Sequence, residues 1–229
     1  MDFERWRSTN IGGTEVLWLS GPPKCRISDA SSRIIDLAKE SQLEDQHSVL
    51  YFFCSTAPAN LPVAISFVST VVRQLARFSP QLRRKIAATF LCTLFETILQ
   101  REPLSDPEES RFSADVDDSA EVVVKKILKA SSSDAYWSAL RAVMDIERER
   151  GLSLIIDGLE KAEHQKYEFI REIHRFIEHL RERPSTTRVL LTSQPLAEIK
   201  GILGQLPCIE YDRERKGLIA SFLILWAIG

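Results

Sequence analysis

A chain of 229 residues that is 44% hydrophobic and 27% charged has the composition of a soluble globular protein with room for one sizeable α/β core. Its net charge of -2 and pI near 6.1 give no basic field, so neither a general nucleic-acid surface nor an anionic-membrane surface is expected. Cys25, Cys54, Cys92 and Cys208 are scattered without a C-x-x-C pair, which suggests neither a zinc knuckle nor a disulfide framework and fits reduced, mostly buried thiols best.

The N-terminus, MDFERWRSTN, has no apolar stretch of the kind a secretory signal needs, and a cytoplasmic location is the expectation. Val16 to Ser20 is a short apolar run closed by Gly21-Pro22-Pro23, a buried strand entering a turn. A helix follows, with Ser28 or Asp29 as its N-cap and Ile34, Ile35, Leu37 and Ala38 on its inner face. VLYFFC, from Val49, is dense in β-formers and completes a β-α-β unit, whose crossover is right-handed and parallel by rule. The apolar spacing then predicts helices over 63–78 and 81–99.

From Glu102 to Ser119 the chain is acidic and proline-bearing, a solvated loop with the composition of a disordered segment. Helical stretches over 120–130 and 135–149 lead to LSLII, a second buried strand ending on Asp157. Residues 165–182 hold the clearest helix, with Phe169, Ile170, Ile173, Phe176, Ile177 and Leu180 on one stripe. RVLLT at 188–192 and a weaker run from Pro207 to Tyr211 bring the strands to five. Strands alternating with helices predict an α/β fold, a parallel sheet of about five strands covered on both faces. The apolar run from Gly217 to Gly229 is shorter than the ~20 residues of a membrane-spanning helix and reads as the start of a packing helix in a truncated chain.

Three segments carry the chemistry. VLWLSGPPKCRIS, from Val16 to Ser28, has the frame of a phosphate-binding loop, G-x-x-x-x-G-K-[ST], in which glycines let N–H groups converge on phosphate, lysine reaches the outer phosphates and the hydroxyl ligates magnesium. Gly21 and Ser28 fit it, but Arg26 stands at the second glycine and Ile27 at the lysine; Pro22 and Pro23 remove two donors. Arg26 must then adopt a backbone geometry that glycine finds easy. Lys24 or Arg26 could return a cation from the wrong branch of the loop. LSLIIDGLEKAE delivers Asp157 to a strand end in the manner of a magnesium-holding aspartate, with Glu160 as a candidate catalytic acid and Lys161 where a second acid would help. RVLLTSQP places Thr192, Ser193 and Gln194 at a third strand end, where polar groups read a γ-phosphate. Strand ends on this side of an open sheet form one crevice. The histidines, His47, His164, His174 and His179, show no metal-ligand spacing, and no hydrolase signature is present.

With these segments together, the chain resembles the NACHT module of fungal STAND-type signalling NTPases, the nephrocystin-like N-terminal domains. The resemblance rests on Phe3 and Trp6 in the lead-in, VLWLSGPP, YFFC at 51–54, IIDGLEKAE at 155–163, LLTSQP at 190–195 and the segment from Cys208 on. It implies a lead-in over 1–15, a P-loop domain over 16–212 and the start of a helical segment over 213–229. It implies Mg-ATP or Mg-GTP as ligand, with Gly21, Lys24, Arg26, Ser28, Thr192 and Ser193 on the nucleotide and Ser28 and Asp157 on magnesium. The departures from the family pattern fall on the chemistry: Ile27 replaces lysine, Lys24 and Arg26 replace glycines, Glu160-Lys161 replaces the acid pair, and Gln194 replaces the sensor arginine. Two readings follow. One is a non-catalytic signalling module that binds protein partners, related NACHT proteins among them, with no nucleic acid and no membrane span. The other is a nucleotide-binding switch with weak or no hydrolysis.

Overall fold

A computed structural model describes residues 15–41, 48–57, 61–78, 80–101, 132–146, 151–162, 166–182 and 187–211. The N-terminal lead-in, the acidic loop, the expected helix over 120–130 and the C-terminal apolar run lie outside these residues.

Five strands form one parallel sheet: β1 (Glu15–Ser20), β2 (Ser48–Phe53), β3 (Leu152–Asp157), β4 (Thr187–Ser193) and β5 (Cys208–Glu210), in the spatial order β2-β3-β4-β1-β5. The expected α/β sheet with helices on both faces is therefore present. β4 lies directly beside β1, pairing Leu19 with Thr192 and Ser20 with Ser193. β3 is one strand further out, so Asp157 and the loop after β1 are separated by the width of β4.

The helices are α1 (Ile27–Ser41), α2 (Val63–Leu75), α3 (Pro80–Arg101), α4 (Ser133–Ile146), α5 (Lys166–Arg181) and α6 (Ala197–Leu203). Alternation along β1 divides the core. Leu17 and Leu19 face α1, where they meet Ile27, Ile34, Ile35, Ala38, Ile155 and Leu190. Val16 and Trp18 face the larger core, which buries apolar side chains of α2 to α6. At its centre the rings of Phe67, Trp137 and Phe169 pack together, Phe67 lying 5.4 Å from Trp137 and meeting Phe169 edge-on at 5.7 Å. All six stripe residues of α5 are buried.

The expected caps of α1 are displaced. The helix begins at Ile27, one residue before Ser28, so Ser28 and Asp29 sit in its first turn and the Asp29 N–H donates to the Arg26 carbonyl. The short α6 follows Pro195 and contains Gly201, and the apolar periodicity does not predict it. At the outer edge of the sheet the Gln74 amide satisfies Tyr51 of β2 twice, accepting from its N–H at 2.9 Å and donating to its carbonyl at 2.8 Å. Lys39 of α1 lies 4.2 Å over the Tyr51 ring. Between α4 and α5, buried Glu172 pairs with Arg141 and with Arg175. No helix among the described residues is long and apolar enough to cross a membrane.

Candidate functional site

The turn between β1 and α1 is set by two left-handed residues that are not glycine, Lys24 at φ 68° and Arg26 at φ 65°. Arg26 stands at the second glycine of the phosphate-loop pattern, and Lys24 at a further glycine of the family pattern that the chain resembles. An L side chain in this region crowds the following carbonyl and costs about 1–2 kcal/mol, so the curve is imposed by the surroundings. Its β1 end is anchored twice, the Gly21 N–H donating to the Ser193 carbonyl at 3.1 Å and the Tyr211 N–H donating to the Ser20 carbonyl at 2.6 Å. A Cβ on Gly21 would stand 2.7 Å from Cys25 Sγ and 3.1 Å from the Tyr211 carbonyl oxygen. Gly21 is thus demanded by close packing of β1, the loop and the residue after β5.

The two cationic side chains of the loop lie at the surface. Lys24 and Arg26 are exposed, and Arg26 is held by Asp29 at 2.6 Å on the surface. Ile27 is 7% exposed and packed in the α1 core, so the lysine position contributes an apolar anchor to the fold.

Across the crevice, Asp157 is buried at the tip of β3. Its Oδ1 accepts from Ser31 Oγ at 2.7 Å and from Thr192 Oγ1 at 2.7 Å. Thr192 Oγ1 in turn accepts from the Gly158 N–H at 3.0 Å, so that hydroxyl is fully oriented between β3 and β4. Asp157 Oδ2 is buried with no hydrogen-bond partner among the described residues. Glu160 accepts from the Gln194 N–H at 3.2 Å, fastening the turn after β3 to the end of β4. Ser193 faces the opposite side of the sheet, where it accepts from the Trp18 indole at 2.9 Å and donates to the Gln194 carbonyl.

Lys161 completes the arrangement. Gly158 at φ 74° caps a 3-10 turn over Leu159–Lys161, and the exposed Lys161 Nζ donates to Ser28 Oγ at 3.2 Å. The structure therefore brings Ser28, Asp157, Glu160, Thr192 and Lys161 to one end of the sheet. It leaves the side chains of Lys24 and Arg26 in solvent and Ser193 on the other face. Ser31 was not legible as a site residue; its one signal is a spacing of three from Ser28, which puts both hydroxyls on one helix face. Buried Cys54, at the end of β2, borders the same cluster: burial pushes its thiol well up, the Asp157 and Glu160 carboxylates add to the rise, and Lys161 opposes it.

These residues do not fit a magnesium-nucleotide complex held in the usual way. Ser28 Oγ already takes the Lys161 ammonium, Ile27 is in the core, and Pro22 and Pro23 offer no N–H. Among the described residues no group of three or more His, Cys, Asp or Glu side chains is placed to hold a metal.

The five-stranded parallel sheet, flanked by helices and carrying this loop at the end of β1, defines an α/β protein of P-loop-like fold. Within that class, the family model described as nephrocystin 3, N-terminal, a NACHT-like family, matches residues 1–111. The match spans β1, the loop, α1, β2, α2 and α3, and stops before β3 and β4. No curated protein matches the chain.

Proposed function

We propose that this chain is a non-catalytic NACHT-type signalling module of the STAND group, related to fungal examples, that keeps the P-loop fold as a rigid cytoplasmic scaffold and acts by binding proteins. The observation that carries this reading is the Lys161–Ser28 contact opposite a buried Ile27. The hydroxyl that would serve a metal and the position that would serve phosphate are both committed to the protein itself. Removing one preorganised charge-stabilising donor typically lowers an enzyme's rate by about 10²–10³, and here several are missing together. The apolar strands and helix stripes, by contrast, are intact.

A nucleotide-binding switch is the second reading, favoured by one observation: Lys24 and Arg26 hold the left-handed backbone that a phosphate loop needs. Titration calorimetry with Mg-ATP and Mg-GTP separates the two. The scaffold reading expects no binding heat from the natural sequence and the appearance of binding after Arg26→Gly combined with Ile27→Lys. Micromolar affinity in the unmodified protein overturns it.

A further inference from the structure

We propose that the corner formed by the end of α2 and the start of α3 is a docking surface for an acidic segment of a partner protein, one whose cluster of carboxylates is followed by an apolar side chain. This rests on the protein-binding reading and gives the partner its chemistry. From Gln46 to Phe95 the chain has no Asp or Glu, yet Arg73, Arg77, Arg83, Arg84 and Lys85 all fall there, in a molecule whose net charge is -2. The fold gathers these cations. Arg83 Nε donates to the Ala76 carbonyl at 3.2 Å, tying the first turn of α3 to the residue that ends α2. All five side chains are exposed, and none forms an ion pair among the described residues, where the ion pairs lie on α1, between α4 and α5, along α5 and between β1 and β4.

Helix stability does not account for this concentration. Arg73 suits the last turn of α2, but the opening turns of α3 carry the positive end of its dipole, where acidic residues stabilise; the first turn has none, and three cations follow one another there. Like charges this close repel, and carboxylates brought by a partner relieve that repulsion. The same helix also offers an apolar contact. Arg84, Ala88, Cys92 and Phe95 recur at helical spacing on one exposed face, and Phe95 leaves 41% of its surface in solvent, while Ile86, Phe90 and Leu94 on the other face are committed to the core. Phe95 lies about 15 Å along the axis from Lys85, so charge and apolar contact suit one short segment of that span. A long polyanion fits less well. Attraction to the corner fades over a Debye length of about 8 Å, and a nucleic acid or anionic bilayer reaching past it meets a molecule of net negative charge. Two copies meeting corner to corner would oppose like charges.

The test is fluorescence anisotropy on the full chain with a fluorescein-labelled probe peptide that carries a cluster of glutamates and, about 15 Å further along, a pair of leucines. The unmodified protein should bind it, and Arg84→Glu combined with Lys85→Glu should weaken binding at least about tenfold, as should Arg73→Glu combined with Arg77→Glu. Phe95→Ala should weaken it by a smaller factor, and so should raising the salt from about 0.1 M to about 1 M. Arg33→Glu combined with Arg171→Glu, at exposed positions of α1 and α5, changes the net charge equally and should leave binding within about twofold of the parent. Melting temperatures separate lost docking from lost folding, and Arg84→Gln combined with Lys85→Gln serves where the reversal unfolds the chain. Absence of probe binding overturns the proposal, as does an equal loss in the α1 and α5 pair. So does tighter binding to phosphatidylserine-containing vesicles or to a single-stranded oligonucleotide than to the peptide. The Mg-ATP and Mg-GTP titrations stand apart from these measurements, so a failure here is distinguishable from a failure of the scaffold reading.

Discussion

Replacing Lys24 by glycine should stabilise this protein, although the residue is exposed and its removal takes away a charge. At φ 68° the lysine backbone sits where an L residue pays about 1–2 kcal/mol. Glycine removes that strain but loses about 0.5–1 kcal/mol through the greater freedom of the unfolded chain. The difference is a net gain of up to about 1.5 kcal/mol, at about 2–4 °C in melting temperature per kcal/mol for a chain of this size. Arg26 is under the same strain at φ 65° but also holds Asp29 at 2.6 Å, with the two side chains 67% and 59% exposed. That exposed pair is worth about 0.2–1 kcal/mol, so Arg26→Gly should gain less than Lys24→Gly by about that amount. Urea unfolding of both variants beside Lys24→Ala measures the effect. Alanine keeps the Cβ and should give no gain. If Lys24→Gly is no more stable than Lys24→Ala, the loop is not strained and the argument from its backbone fails.

Gly21→Ala should destabilise by about 1–3 kcal/mol, since its new methyl would meet Cys25 Sγ at 2.7 Å and the Tyr211 carbonyl at 3.1 Å; a chemical-denaturation midpoint equal to that of the parent would contradict it. Phe67→Ala should cost about 3–5 kcal/mol, because the ring is fully buried against Trp137 and Phe169, and near-ultraviolet circular dichroism should report loosened aromatic packing. Stability should fall with alkaline pH. Burial raises the Cys54 thiol above its ordinary value of 9.0, so between the unfolded and folded values the native state holds a proton that the unfolded chain has released. The slope from this one group is at most about 1.4 kcal/mol per pH unit, begins near the unfolded value and runs downward as pH rises. Cys54→Ala should reduce it, as read from unfolding free energies taken across the alkaline range.

The parts of the fold that sequence revealed are those governed by local periodicity. The stripe from Phe169 to Leu180 is spaced for one helix face, and VLYFFC and LSLII are too apolar to be anything but buried strands. The strand order is set by pairings distant in the chain, such as Leu17 with Leu190, and no local pattern encodes it. In the site, the segments ending at Asp157 and Thr192 were readable as strand ends, but their mutual hydrogen bond depends on β4 lying next to β3. Lys161 read as an acid that had been lost. Its reach to Ser28, 133 positions away, follows from the left-handed Gly158 and the 3-10 turn. Arg26 and Lys24 pointed to missing glycines, while the surrounding frame of Gly21, Ser193 and Tyr211 preserves the curve those glycines would have allowed.

The amide of Gln74 has a consequence for how this molecule can meet others. By answering both the N–H and the carbonyl of Tyr51, it imitates the next strand at the point where one would dock. An extended peptide approaching β2 must first displace that imitation, and at the opposite margin β5 offers only the three residues Cys208–Glu210 as a template. Among the described residues, growth of the sheet from one molecule into the next is therefore opposed at one border and meagre at the other. Strand addition is thus a poor route of contact for the described sheet, which leaves side-chain surfaces, where shape and charge govern recognition.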